Sequence, residues 1–285
     1  SIAQTPTGIY FMDNNDKSIY LFNGQLTNIS TDLGFNSWAK QNIPSSDSLH
    51  KWNPQDYNNF RVVYDKLNQD VLFINKDTAL AYSEKFKCFT SFYDYEGTPY
   101  LENFDDVGIW IRDNKLWKHQ AGQACNFFGE NKPYSMTLIG NQDPQLDKIF
   151  TNLEFRASVK EEGTYNVSNG KFTPYLPFDS LEVWNEYQHG ILNLSNRNKG
   201  EGFIHGKDNG ILARKFRMWR CDIPRDNADV NSDIEAPMGI KRFKARPLDR
   251  IRNPWAYIKL TKNPASKSLA QINIEIHDIM ATYFC

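Results

Sequence analysis

A chain of 285 residues can bury one large core or two modest ones; this one is 40% hydrophobic, 14% aromatic and carries a net charge of −1. With a mean hydropathy of −0.62 and no apolar run near the ~18 residues a membrane-crossing helix needs, a helical span is excluded, and so is a basic-then-apolar signal peptide. The near-zero charge argues against tight free-standing DNA binding.

Apolar surface held in rings favours strands over helix bundles. Cys88, Cys125, Cys221 and Cys285 form no Cys-x-x-Cys pair, which points to reduced, mostly buried thiols rather than a zinc knuckle or disulfide framework. Residues 1–150 hold 13 Lys+Arg and 18 Asp+Glu, and residues 151–285 hold 20 and 16, so the halves carry −5 and +4. Scattered solvated charge accounts for such a split, and attraction between neighbouring copies is the other reading.

In chain order, Gly8–Asp13 and Ser18–Gly24 predict a hairpin, and Gly108–Asp113 with Lys115–Lys118 predicts a second of the same form. Between them, 60–65 turns through 67–70 into 71–75, with a further strand at Ala79–Ser83. The period of about 50 residues suits propeller blades, and an ordinary β-meander, whose turns all demand Asn, Asp and Gly, is the alternative. Two or three blades close no ring, and Ser1 lies almost at a strand, so the chain reads as a fragment or a processed product. The one helical candidate is Asn36–Gln41.

The character changes at 146/147, giving expected domains 1–146 and 147–285. Segments 152–157, 180–187, 215–221, 255–260 and 270–277 alternate apolar with polar residues, as half-buried antiparallel strands do. Ile272, Ile274 and Ile276 share one face. The expected class is all-β: propeller-like blades or a meander, then an antiparallel β-sandwich. Residues 194–209 and 222–237 read as long loops.

Catalytic and cofactor signatures are missing: no phosphate-cradling Gly-rich loop, no Gly-x-Ser-x-Gly elbow and no paired His spacing occur. No catalytic, cofactor or metal residue is assigned, and no enzyme is expected. His189 and His205, each beside a Gly, are expected in solvent-exposed loops. Glu102, Asp105, Asp106, Glu154 and Glu186 are the carboxylates a glycoside hydrolase could use, though none stands out. A carbohydrate-active or glycan-binding protein is therefore the alternative function. From Arg197 to Lys259 there are 15 Lys+Arg against 8 Asp+Glu. Lys241, Arg242, Lys244, Arg246, Arg250 and Arg252 are the candidate channel or interface contacts, while Arg217, Arg220 and Arg252 also suit pairing with carboxylates or stacking on Trp219 and Trp255. Trp184, Tyr187, Trp219, Trp255 and Tyr257 are candidate structural anchors.

The ordered stretches Val183–Gln188, Phe216–Arg220 with Ile223–Arg225, Arg250–Leu260 and His277–Met280, with Phe89–Tyr95, Phe127–Gly129 and Leu153–Ala157, resemble the stabilization or muzzle family of tail proteins in crAss-like bacteriophages, counterparts of the short-tailed phage nozzle. The likeness runs from about Gly8 onward and covers the C-terminal portion of much longer family members. It implies a virion component, made in the bacterial host cytoplasm, that forms a six-fold ring of copies around the DNA exit channel. The implied partners are other copies, neighbouring tail proteins and genomic DNA passing without sequence-specific contact.

Overall fold

The computed structural model describes residues 2–43, 61–74, 78–93, 100–101, 109–112, 115–118, 126–161, 177–196, 209–226, 249–262 and 272–284. It is an all-β protein, with two short helices among the described residues, divided into the units Ser1–Ala121 and Gly122–Cys285. The division falls earlier in the chain than 146/147. Among the described residues, no helix is long and apolar enough to cross a membrane.

In the first unit β1 (Ile2–Thr5), β2 (Gly8–Asp13), β3 (Ser18–Phe22) and β4 (Leu26–Asn28) form one four-stranded antiparallel meander. A second consists of β5 (Arg61–Asp65), β6 (Asp70–Ile74), β7 (Ala79–Ser83) and β8 (Cys88–Tyr93). β9 (Tyr100–Leu101), β10 (Ile109–Arg112) and β11 (Lys115–Lys118) form a third sheet, with Trp110 opposite Trp117. The expected hairpins are present. The β2–β3 and β5–β6 hairpins share turn chemistry: Asp13 and Asp65 accept backbone N–H bonds from two residues on, and Lys17 and Gln69, each four residues later, take left-handed φ of 54° and 58°, while the turn at 113–114 lies outside the described residues. Four-stranded meanders are common to propeller blades and plain β-meanders, and the described strands close no ring.

Between β4 and β5 lie α1 (Ile29–Asp32), capped by the Asn28 side chain accepting from Thr31 N, and α2 (Asn36–Asn42), at the expected helical segment. The core joins the two meanders through Ala3, Tyr10, Ile19, Val71, Phe73, Leu80 and Tyr82, with the Tyr10 and Tyr82 rings 5.5 Å apart. Alternate residues point to opposite faces, and Val63, Leu72, Ile74, Ala79 and Ala81 are buried as well, so both faces of the second meander are dry.

The second unit opens with the small ribbon β12 (Asn126–Phe127) and β13 (Glu130–Asn131). Its main element is a nine-stranded sheet built from β14 (Tyr134–Gly140), β15 (Lys148–Glu161), β16 (Ser180–Trp184), β17 (His189–Asn196), β18 (Asn209–Lys215), β19 (Met218–Asp222), β20 (Arg252–Asn253), β21 (Ala256–Lys262) and β22 (Ile272–Phe284). The order is β14-β21-β16-β17-β18-β19-β15-β20, with β22 also on β15. All pairs are antiparallel except β17 with β18, a parallel junction that the alternation could not reveal. Phe155 and Trp219 from one half of the sheet share a core with Leu181, Val183 and Ile258 from the other, so the sheet turns over a single apolar interior.

Two expected strands are shorter. The 180–187 segment ends at Trp184, because the Asn185 side chain accepts N–H bonds from Tyr187 (2.8 Å) and Gln188 (2.9 Å) and reverses the chain. The 215–221 segment is broken at Phe216 and Arg217, whose φ of 50° and 65° form a two-residue hairpin turn between β18 and β19. The expected loop at 194–209 also yields its ends to β17 and β18.

Candidate functional site

The candidate basic residues fall into two groups. Lys241, Arg242, Lys244 and Arg246 lie outside the described residues. Arg250 and Arg252 flank Ile251, which is buried in the core of the second unit and whose carbonyl accepts the Phe150 N–H at 3.0 Å. The reversal after β16 holds this strip from the other side. Gln188 Nε2 donates to the Arg250 carbonyl (2.8 Å), Gln188 Oε1 accepts from Arg252 N (2.7 Å), and Asn185 Nδ2 donates to the Arg252 carbonyl (3.2 Å). The backbone is thereby fixed while both guanidinium groups face solvent.

Arg252, 63% exposed, pairs with Asp147 at 2.9 Å. A bridge pairs Arg250 with Arg225, also exposed, so three arginines meet on one strip. Sequence reasoning did not place Arg225 here, since no local pattern links positions so far apart. Like charges on neighbouring strands repel, and Asp147, paired with Arg252, answers part of this charge. Arg220 lies in β19, paired with Glu154 at 2.5 Å, so its charge is answered by a carboxylate as one of the two sequence readings held.

The aromatic candidates separate into two layers. Trp184 is buried and stacked on Tyr257 (centroids 5.1 Å, 26° between planes), and Tyr257 meets the edge of Trp255 at 5.1 Å and 77°. Trp219 is buried in the core, its Nε1 donating to the Ala157 carbonyl at 3.2 Å, which ties β19 to β15. Tyr187 projects half-exposed from the reversal.

His189 corrects an expectation. It is 3% exposed rather than a loop residue, and its Nε2 donates to Glu182 Oε1 at 2.7 Å. Gly190 beside it marks a close approach: a Cβ there would lie 2.4 Å from the Arg225 carbonyl oxygen. The hydrogen bond from His189, with attraction to His189 and Lys259, outweighs burial and holds the Glu182 carboxyl below the usual range. Lys259 Nζ lies 3.8 Å from its second oxygen. A general base must reach its substrate, so a pair whose imidazole is this deeply enclosed serves to lock β16 to β17.

Another buried charge pins the sheet. Lys148 is fully buried; its ammonium donates to the Pro254 carbonyl and lies 5.4 Å from the centre of the Tyr283 ring, while Tyr283 Oη donates to Asp143 at 2.7 Å. Of the other nominated groups, Glu186 is exposed in the reversal, whereas Glu102, Asp105, Asp106 and His205 fall outside the described residues. Among the described residues, no three His, Cys, Asp or Glu side chains gather where a metal ion could sit. An open depression of about 750 Å³ in the first unit is lined by Thr5, Tyr64, Lys66 and Gln69 among other described residues.

Two family models match the chain: Crassvirus muzzle protein over residues 1–114, and Crassvirus muzzle protein C-terminal domain over residues 122–226. The gap between them coincides with the division of the structure at Ala121 and Gly122. The chain is also 40% identical, over all 285 residues, to a protein named Muzzle protein in Bacteroides phage crAss001. It spans 18% of that protein's length.

Proposed function

Because the chain belongs to the muzzle protein family of crAss-like phages, we propose that it is a structural component of the virion, forming part of the wall of the lower tail around the DNA exit channel. The observation that carries this reading is the 40% identity to a muzzle protein along the whole chain. Copies assemble in a six-fold ring, touch neighbouring tail proteins, and help retain and deliver the genome.

The arginine strip supports the placement beside DNA. Phosphate attraction grows with each exposed cation, so a wall that must let a genome slide past should be only mildly basic. Arg250 and Arg252 are exposed on a backbone clamped by Asn185 and Gln188, exposed Arg225 is bridged to Arg250, and Asp147 offsets part of the charge. That arrangement offers phosphates a fixed, partly neutralised surface without a groove-reading element.

Replacing Arg250, Arg252, Lys241, Arg242, Lys244 and Arg246 with Gln in the phage tests the reading. Virions should assemble in normal number, with genome retention or ejection changed about tenfold or more. Unaltered retention and ejection would remove the channel assignment, and loss of the protein from purified virions in the unmutated phage would remove the structural one.

A further inference from the structure

Among the described residues, no further strand pairs with the nine-stranded sheet of the second unit at either border. At one border, the described partner of β14 is β21. The direction of its backbone groups follows from its neighbour. Asp179 N donates to the Thr261 carbonyl at 2.8 Å, so Thr261 points toward β16, and Ser135, which lies opposite Thr261, points away from β21. By alternation the N–H and C=O groups of Ser135, Thr137 and Ile139 face the open border, while Met136, Leu138 and Gly140 complete the ladder to β21.

Edge strands usually carry charges, prolines or bulges that discourage pairing. From Ser135 to Gly140 there is none of these, and Ile139 is 60% exposed. At the other border, β22 divides in two. Its first part is guarded by the exposed His277 and Asp278 and by a register shift at His277. Its later part, Ile279–Thr282, is uncharged, with a register shift only at its Thr282 end, and Met280 is 53% exposed. Met136 on one border, and Ile279 and Ala281 on the other, pack on the core yet stay only partly buried, unlike the core residues of the inner strands. Both borders therefore combine an unguarded edge with incompletely covered apolar side chains.

We propose that these borders join between copies: the Ser135–Gly140 edge of one chain pairs with the Ile279–Thr282 edge of a second, extending the sheet across the interface. This deepens the proposed function and rests on its ring of copies. A contact between unlike edges can repeat from copy to copy, as a ring requires, whereas β14 against β14 uses one border and stops at two chains. Main-chain bonds would supply the affinity, and the exposed Ile139 and Met280 the apolar contact.

Disulfide trapping tests the pairing in the complete chain, with Cys88, Cys125 and Cys285 replaced by Ser. Thr137→Cys and Met280→Cys chains, purified separately and mixed under mild oxidation, should give a cross-linked heterodimer about tenfold above either variant alone. Cross-linking of the Thr137→Cys chain with itself instead would overturn the pairing. Thr137→Pro removes an outward N–H without touching the β21 ladder. By light scattering it should weaken self-association about tenfold while the melting temperature holds within a few degrees. Association that survives this change without the heterodimer overturns the edge pairing and leaves the ring standing on other surfaces; a wild-type chain that is monomeric throughout overturns both.

Discussion

At the scale of single residues, stability in the second unit rests on a few enclosed polar groups that each tie strands together. Trp219 fills the core and bonds the Ala157 carbonyl, so Trp219→Ala should cost about 3–5 kcal/mol in denaturant unfolding. Cys221 is buried, which with the nearby Asp222 pushes its thiol pKa up to about 12. A thiol reagent at pH 8 should therefore label Cys221 only as fast as the chain unfolds, measurable by mass spectrometry of peptides. Glu182 gives a pH signature. Its folded pKa is depressed, so its stabilisation is complete above the ordinary Glu range near ~4.3 and disappears as pH falls through the lower folded value. Glu182→Gln should lower the melting temperature at pH 7 by an amount that shrinks toward zero in that acid range. None of these partners was legible beforehand. His189 beside a glycine resembled a turn, while that glycine is required because Arg225 packs against it, a contact set by residues far apart in sequence.

At the scale of elements, alternation and turn residues made most strands readable: β2, β3, β5, β6, β10 and β11 fall where their periodicity placed them. The misreadings have separate causes: the 180–187 segment reverses at Asn185, and the 215–221 segment at a turn built without its usual residues. Phe216 and Arg217 hold left-handed conformations that Asn-Gly would adopt at little cost, and Phe216 is 88% exposed at the tip. The double substitution Phe216→Asn, Arg217→Gly should stabilise the second unit by about 1 kcal/mol, read as a raised denaturant midpoint. Gly190→Ala should do the opposite, since the added methyl meets the Arg225 carbonyl and the Pro224 ring at 2.4 and 2.8 Å. The arginine strip was half legible. Arg250 and Arg252 stood out by composition, whereas Arg225 joins them only through a long-range bridge.

At the scale of the whole molecule, two independently cored units follow one another, and the family matches divide at the same place. Composition announced the all-β class, because rings and β-branched residues leave little for helices. The sequence put the division at 146/147, whereas the register of β14 against β21 assigns residues 134–140 to the second unit. The central claim is that such a chain serves as tail wall. Immunogold labelling of intact, purified phage with antibody against this chain tests it most directly. The account predicts gold confined to the distal end of the tail on most particles; gold on the capsid, or virions that carry none of the chain, would contradict it.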